Sequence, residues 1–181
     1  TLSISHEREI GGVIMPRLSH GGRLVSVETG EEDLNTCDAV ITSHKNFSLG
    51  IRTADCAPIC FSDGAKIGIA HVGWRGLCLN LIEKMLTEFN TTQLEVYVGP
   101  RLNCFEIQKD SCYEAITQKF GETFFTYENE KIIFHFKDAI ASLLPLSTQF
   151  DPRSTGDDLI LPSHRRDKTT QRLVTVVQFT N

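Results

Sequence analysis

Along the first half of the chain, apolar residues fall in short runs and alternations bounded by Gly, Asp, Asn and Ser, the pattern of extended strands. Segments 22–28 (GRLVSVE), 38–42, 47–52, 57–61 and 66–71 (KIGIAH) read this way, as do 94–98 (LEVYV), 131–136 and 172–179 (RLVTVVQF) further on. A period near 3.6 appears in LCLNLIEKMLTEF, where Cys78, Leu81, Ile82, Met85, Leu86 and Phe89 share one face, and again at 111–120 and 137–144. Strands and helices interleave without regular βαβ spacing, which predicts an α+β fold of mixed β-sheets with flanking helices. The stretch 147–164 (STQFDPRSTGDDLILPSH) carries no period and many turn formers, so it predicts a long loop, and such loops are often functional.

A length of 181 residues predicts a single domain over 1–181, large enough to bury a core without disulfides or a structural metal. Apolar residues make up 40% and charged residues 23%, ordinary globular proportions. The net charge of −5 lacks the basic excess that nucleic-acid binding needs, so no nucleic-acid partner is expected despite the local cluster Arg165, Arg166 and Lys168. No run is long and apolar enough to span a bilayer, and the opening TLSISHEREI lacks the apolar core of a signal peptide. The expectation is a cytoplasmic protein with no membrane partner. Six cysteines are spread along the chain. On one extended strand, Cys56 and Cys60 would lie about 13 Å apart, too far to bridge, so free thiols are expected. Cys37, Cys60, Cys78, Cys104 and Cys112 read as small apolar core residues.

Chemistry concentrates in TADCAPICFSDGAKIGIAHVGWRG, residues 53–76. The strand KIGIAH delivers His71 to its end, Cys56 opens a neighbouring strand, and His20 stands before two glycines in PRLSHGGRLV, where close backbone approach is allowed. Two imidazoles and a thiol suit a catalytic zinc with an open position. Spacing alone leaves two other readings open: a Cys56–His71 nucleophile pair, and buried structural residues.

The combination TADCAPI, AHVGWRG, VGPRLNCFEI and SHRRD, spread over roughly residues 17–179, closely resembles the YfiH-like family, also called laccase-domain or multicopper polyphenol oxidase domain proteins. Leu18–Ser19 replaces the usual Gln–Val before the first histidine, and His164 stands where an aromatic residue is usual. The resemblance implies a YfiH-like fold, related to the catalytic domain of cytotoxic necrotizing factors. It also implies that His20, Cys56 and His71 bind one metal ion, zinc; copper is an alternative, adventitious occupant because divalent copper outcompetes zinc for such ligands. The activity implied is phosphorolysis of purine nucleosides (adenosine, inosine, guanosine, methylthioadenosine), with adenosine deamination alongside. Purine nucleosides and phosphate would be the partners, and Cys56, His71 and Arg75 the catalytic set.

Two other chemistries compete. A cysteine or metal-dependent hydrolase would use Cys56 as nucleophile and His71 as base, and a proposed family role in editing peptidoglycan precursors motivates it. A copper polyphenol oxidase is opposed by the histidine count, since six cannot furnish a blue copper centre plus a trinuclear cluster.

Around these positions, Asp55 reads either as a cap at a strand end or as the group orienting a ligand imidazole. Trp74, the single tryptophan, reads as a large core side chain or a contact for a base. Arg75, before a helix, reads as a phosphate contact or a buried salt bridge. Only one of Arg165 and Arg166 should reach the same anion, because neighbours on an extended segment point opposite ways. His6, His44 and His135 match no motif and are expected to be exposed or structural.

Overall fold

The computed structural model describes residues 2–5 and 12–180; His6 lies outside them. The chain opens with strands β1 (Leu2–Ser5), β2 (Val13–Ile14), β3 (Leu24–Ser26), β4 (Ala39–Thr42), β5 (Ser48–Thr53), β6 (Ala57–Ser62) and β7 (Ile67–Val72). Helices α1 (Trp74–Cys78) and α2 (Leu81–Thr87) follow, then β8 (Glu95–Val98), β9 (Phe105–Ile107) and α3 (Ser111–Phe120). The remainder is β10 (Phe125–Glu128), β11 (Lys131–Phe134), α4 (Phe136–Ala141), β12 (Gln149–Phe150), α5 (His164–Asp167) and β13 (Leu173–Phe179). The fold is α+β, as the interleaved pattern predicts.

Among the described residues three sheets are formed: six strands in the order β12-β8-β6-β7-β4-β3, four in the order β1-β13-β5-β2, and three in the order β10-β11-β9. β6 and β7 occupy the middle of the largest sheet and every residue in them is buried, which is why APICFS and IGIAHV read as near-continuous apolar runs. Their pleat divides the core. Ala57, Ile59, Phe61, Ala70 and Val72 face the helices, in a cluster with Leu81, Ile82 and Met85. Cys60, Ile67 and Ile69 face the other way, onto Leu49 and Ile51 of β5. By the same alternation Cys56 shares the face of Cys60, and His71 that of Ile69, so both point toward the four-stranded sheet. Register completes the placement: Pro58 pairs with His71 and Ala57 with Val72, which brings Cys56 level with Gly73.

The predicted face packs inward, with Leu81, Ile82 and Met85 of α2 and Phe89 just beyond its end buried, and Leu86 partly so. The single helix expected over 77–89 is instead two helices, because Asn80 adopts a left-handed conformation (φ 59°) that ends α1, and the first of them starts earlier, at Trp74. Asn tolerates that region better than most residues. α3 occupies the predicted span, capped by the Asp110 carboxylate, which accepts from the amides of Cys112 and Tyr113. Strands β9, β10 and β12, each four residues or fewer, are too short to show a period in the sequence. The expected loop 147–164 is largely irregular, with the short β12 inside it.

All six cysteines are free thiols. Cys37, Cys60 and Cys112 are buried as expected, but Cys78 is only partly buried and Cys104 is exposed, because it falls in the turn before β9 rather than on a strand face. His44 is exposed beside Glu28, and His135 caps α4 with its Nε2 3.1 Å from the Thr126 hydroxyl. Among the described residues no helix is long and apolar enough to cross a membrane.

Candidate metal centre

His20, Cys56 and His71 converge, each offering one ligand atom, with all three atoms within 4.8 Å of one another. The two imidazole rings meet edge to face, centroids 4.6 Å apart. Gly73 makes room for them: a Cβ there would stand 3.0 Å from Cys56 Sγ and 3.9 Å from His20 Cδ2. That close approach explains the glycine of AHVGWRG, whose φ of −103° demands nothing unusual.

The residue that organises the centre is Asp38, fully buried at the entry to β4. Its carboxylate accepts from the backbone amides of Ser19 (3.3 Å), His20 (2.8 Å) and Gly21 (2.7 Å), from the Ser19 hydroxyl (2.8 Å) and from His71 Nδ1 (3.0 Å). The loop 19–21 is thereby wrapped around one carboxylate, which holds His20 at φ 59°. The left-handed residue is the histidine itself, not one of the glycines after it. With His71 Nδ1 committed to Asp38, Nε2 is the atom left for a ligand, the arrangement that fixes the tautomer of a metal-binding imidazole.

Electrostatics follow the same contacts. Burial pushes the Cys56 thiol up, but the adjacent His20 and His71 imidazoles outweigh it and bring the pKa down to about 7. Burial works against a charged His71, yet Asp38 and Cys56 raise it to about 9. Burial would also raise Asp38, but hydrogen bonds from His71, Gly21 and Ser19 hold it well below the usual carboxylate range. A thiol that ionises near neutrality beside two imidazoles is the donor set a borderline-soft divalent ion selects. The residues present therefore fit a three-ligand metal site. Four-coordinate zinc, with bonds of about 2.0–2.3 Å, places ligand atoms roughly 3.3–3.7 Å apart, and the three atoms here all lie within 4.8 Å of one another.

The centre lies in a cleft of about 760 Å³, within the usual size range of ligand pockets. Trp74 and Phe105 line it, and so do Arg17, Arg52, Arg165 and Arg172. Trp74 is half-buried and also packs against the main core cluster, so the two readings of this residue coexist. Arg75 is exposed, with its guanidinium 4.5 Å from the centroid of the Trp74 ring, and is not among the cleft residues; the buried salt bridge is not formed.

Asp55 does not touch an imidazole. Its carboxylate accepts from the Thr155 hydroxyl (2.8 Å) and the Arg165 amide (2.7 Å), and its carbonyl from the Leu102 amide (3.0 Å). At φ 86°, directly before Cys56, it ties three distant segments to the ligand loop. Of the two readings of Asp55, the capping one holds, and the imidazole contact is made instead by Asp38, which nothing in the context TCDAV distinguishes.

Residues 164–167 are helical rather than extended. Arg165 and Arg166 nevertheless separate. Arg165 lies in the cleft wall, 4.2 Å from the Phe105 ring centroid and bonded to the Glu106 carbonyl. Arg166 holds the long loop by donating to the carbonyls of Thr155, Asp158 and Leu161. Arg101 of VGPRLNC, 1% exposed, donates to the Asp151 and Gly99 carbonyls, while its own carbonyl accepts from the Thr155 amide. These two arginines act as internal props.

Comparison with known proteins identifies the family. The chain is 30% identical over 174 residues to "Purine nucleoside phosphorylase" of Aquifex aeolicus, covering 91% of this chain and 82% of that one. It is 26% identical over 125 residues to "Adenosine deaminase RL5" of an unknown prokaryotic organism, covering 59% of this chain and 48% of that one. Two Rickettsia proteins named purine nucleoside phosphorylase are covered over 44% and 55% of their length. The crystal structure of the hypothetical protein YfiH of Bacillus licheniformis superposes with a TM-score of 0.83 at 22% identity, over 93% of this chain and 74% of that one. Residues 3–180 match the family described as multi-copper polyphenol oxidoreductase laccase, and the chain belongs to that YfiH-like family.

Proposed function

We propose that this chain is a zinc-dependent purine nucleoside phosphorylase acting on adenosine, inosine, guanosine or methylthioadenosine, with adenosine deamination at the same centre. The observation that carries the reading is the convergence of His20, Cys56 and His71 at a cleft that also presents an aromatic face and arginines. The names of the Aquifex and RL5 relatives support it.

His20, Cys56 and His71 would hold the ion, which when bound supplies a Lewis acid with one open position. Asp38 keeps His71 oriented with Nε2 toward the centre. Trp74 offers a ring face against which a purine can lie. Arg165 is pinned by Phe105 and the Glu106 carbonyl, so it presents a guanidinium with little freedom left to lose on meeting a phosphate. In this position it takes over the anion contact first expected of Arg75. Phosphorolysis then requires that phosphate be held against the sugar carbon while positive charge develops on the sugar, a matter of positioning and electrostatics.

A second reading keeps Cys56 as a nucleophile with His71 as base, in an amidase or hydrolase. The low thiol pKa of about 7 favours it. The two readings are separated by assaying purified, metal-loaded protein on adenosine and inosine with and without inorganic phosphate. The expected result is free base and ribose 1-phosphate only when phosphate is present, with adenosine also giving inosine. Absence of both reactions, together with alkylation of Cys56 by iodoacetamide in protein as purified, would favour the hydrolase.

A further inference from the structure

The cleft carries more positive charge than one phosphate uses. In a chain of net charge −5, four arginines are among its described lining residues, and the carboxylate among them is Asp55, both of whose oxygens are already engaged. Arg165 belongs to the metal end. The other three come from β5 and from the segments that flank its two neighbouring strands. Arg52 lies on β5, which sits between β13 and β2. It alternates away from Leu49 and Ile51, which face the core. Val174 pairs with Arg52 and Leu173 with Thr53, so Arg172, one residue before β13, falls on the same face as Arg52. Diagonal neighbours of this kind lie about 7–8 Å apart. Arg17 follows β2 on the other side of β5 and lines the same cleft.

Like charges on neighbouring strands are unfavourable together, and partners usually neutralise them. Here they do not. Among the described residues the side chains of Arg17 and Arg52 have no hydrogen bond or ion pair, and Arg172 spends one nitrogen on the carbonyls of Thr169 and Gln171. A concave wall of unneutralised arginines focuses field toward an anion, and guanidinium groups match phosphate oxygens in geometry.

We infer that Arg17, Arg52 and Arg172 form a second anion subsite, which takes a phosphate ester carried by the purine ligand itself. Resting on the purine reading above, this makes a purine nucleoside 5′-phosphate a better ligand than the nucleoside. With the base against Trp74 at the metal end, the 5′ position is the far end of the ribose, and the arginine wall is the part of the cleft left to receive it.

The test is calorimetric titration of the metal-loaded protein with 9-deazainosine and with its 5′-monophosphate, whose carbon–carbon glycosidic bond resists phosphorolysis and whose base has no amino group to lose, each in the presence and absence of saturating inorganic phosphate. The wild type should bind the monophosphate about tenfold tighter or more, the gain that one charge-assisted hydrogen bond provides. The gain should persist when inorganic phosphate occupies the Arg165 end. In the Arg17→Gln/Arg52→Gln protein, which loses no side-chain hydrogen bond among the described residues, the gain should vanish while affinity for the unphosphorylated nucleoside stays within about twofold. Equal affinities in the wild type, a gain abolished by inorganic phosphate, or a gain that survives the double substitution would each overturn the subsite. Failure of both ligands to bind would overturn the purine reading and the subsite with it.

Discussion

Replacing Cys56 with serine should leave the chain folded and deprive it of its metal. The side chain is half-buried and stands just ahead of the β6 ladder, so a hydroxyl occupies its place without disturbing a core contact. What is lost is charge. The thiol is poised near neutrality by His20 and His71, whereas a serine hydroxyl stays protonated and cannot act as an anionic ligand. Loss of a group that merely supports a ligand costs roughly 10–100-fold in metal affinity, so loss of the ligand itself should exceed that. Elemental analysis of purified protein should find stoichiometric metal in the wild type and little in the variant, with nucleoside turnover falling in parallel. Full stoichiometry in a folded variant would remove Cys56 from the centre.

The second large effect is expected at a residue that touches neither substrate nor metal. Asp38→Ala would leave the amides of Ser19, His20 and Gly21, the Ser19 hydroxyl and His71 Nδ1 without their acceptor, in a site with no solvent access at the carboxylate. Removing one partner of a buried charged network costs about 3–5 kcal/mol. In a chain of this size that is a fall in melting temperature of roughly 10 °C. Asp38→Asn keeps the shape and a carbonyl oxygen, so it should fold and bind metal about 10–100-fold more weakly. Denaturant titrations of metal-free protein across pH add an independent signature. Because the folded Asp38 is depressed, its contribution is full above the ordinary carboxylate value of 3.8 and is lost as pH falls below it. Because the folded His71 is raised, its contribution is full below 6.5 and is lost as pH rises through about 9. Both flanks should flatten in Asp38→Asn; an unchanged profile would show that the pair does not couple to folding.

The sequence made the central strands legible because β6 and β7 are buried on both faces, and burial of that kind writes a continuous apolar run. Short strands such as β9 and β12 leave no period to read. At the site, the three ligand positions were suggested by residue type and by family resemblance, while spacing alone left three chemistries open. Asp38 escaped notice because its work is tertiary: the β4–β7 pairing sets it beside His71, and its carboxylate gathers residues 19–21 to the same place. Asp55 misled for the converse reason. It adjoins Cys56 in sequence, yet its carboxylate turns to Thr155 and Arg165, about a hundred residues on. Arg17, Arg52 and Arg172 are far apart along the chain and become one feature only through the order β13-β5-β2.

The most direct test of the metal centre is X-ray absorption at the zinc edge on the purified protein. His20, Cys56 and His71 predict one sulfur at about 2.3 Å and two imidazole nitrogens at about 2.0–2.1 Å. A zinc shell without sulfur, or one with several sulfurs, would contradict this assignment.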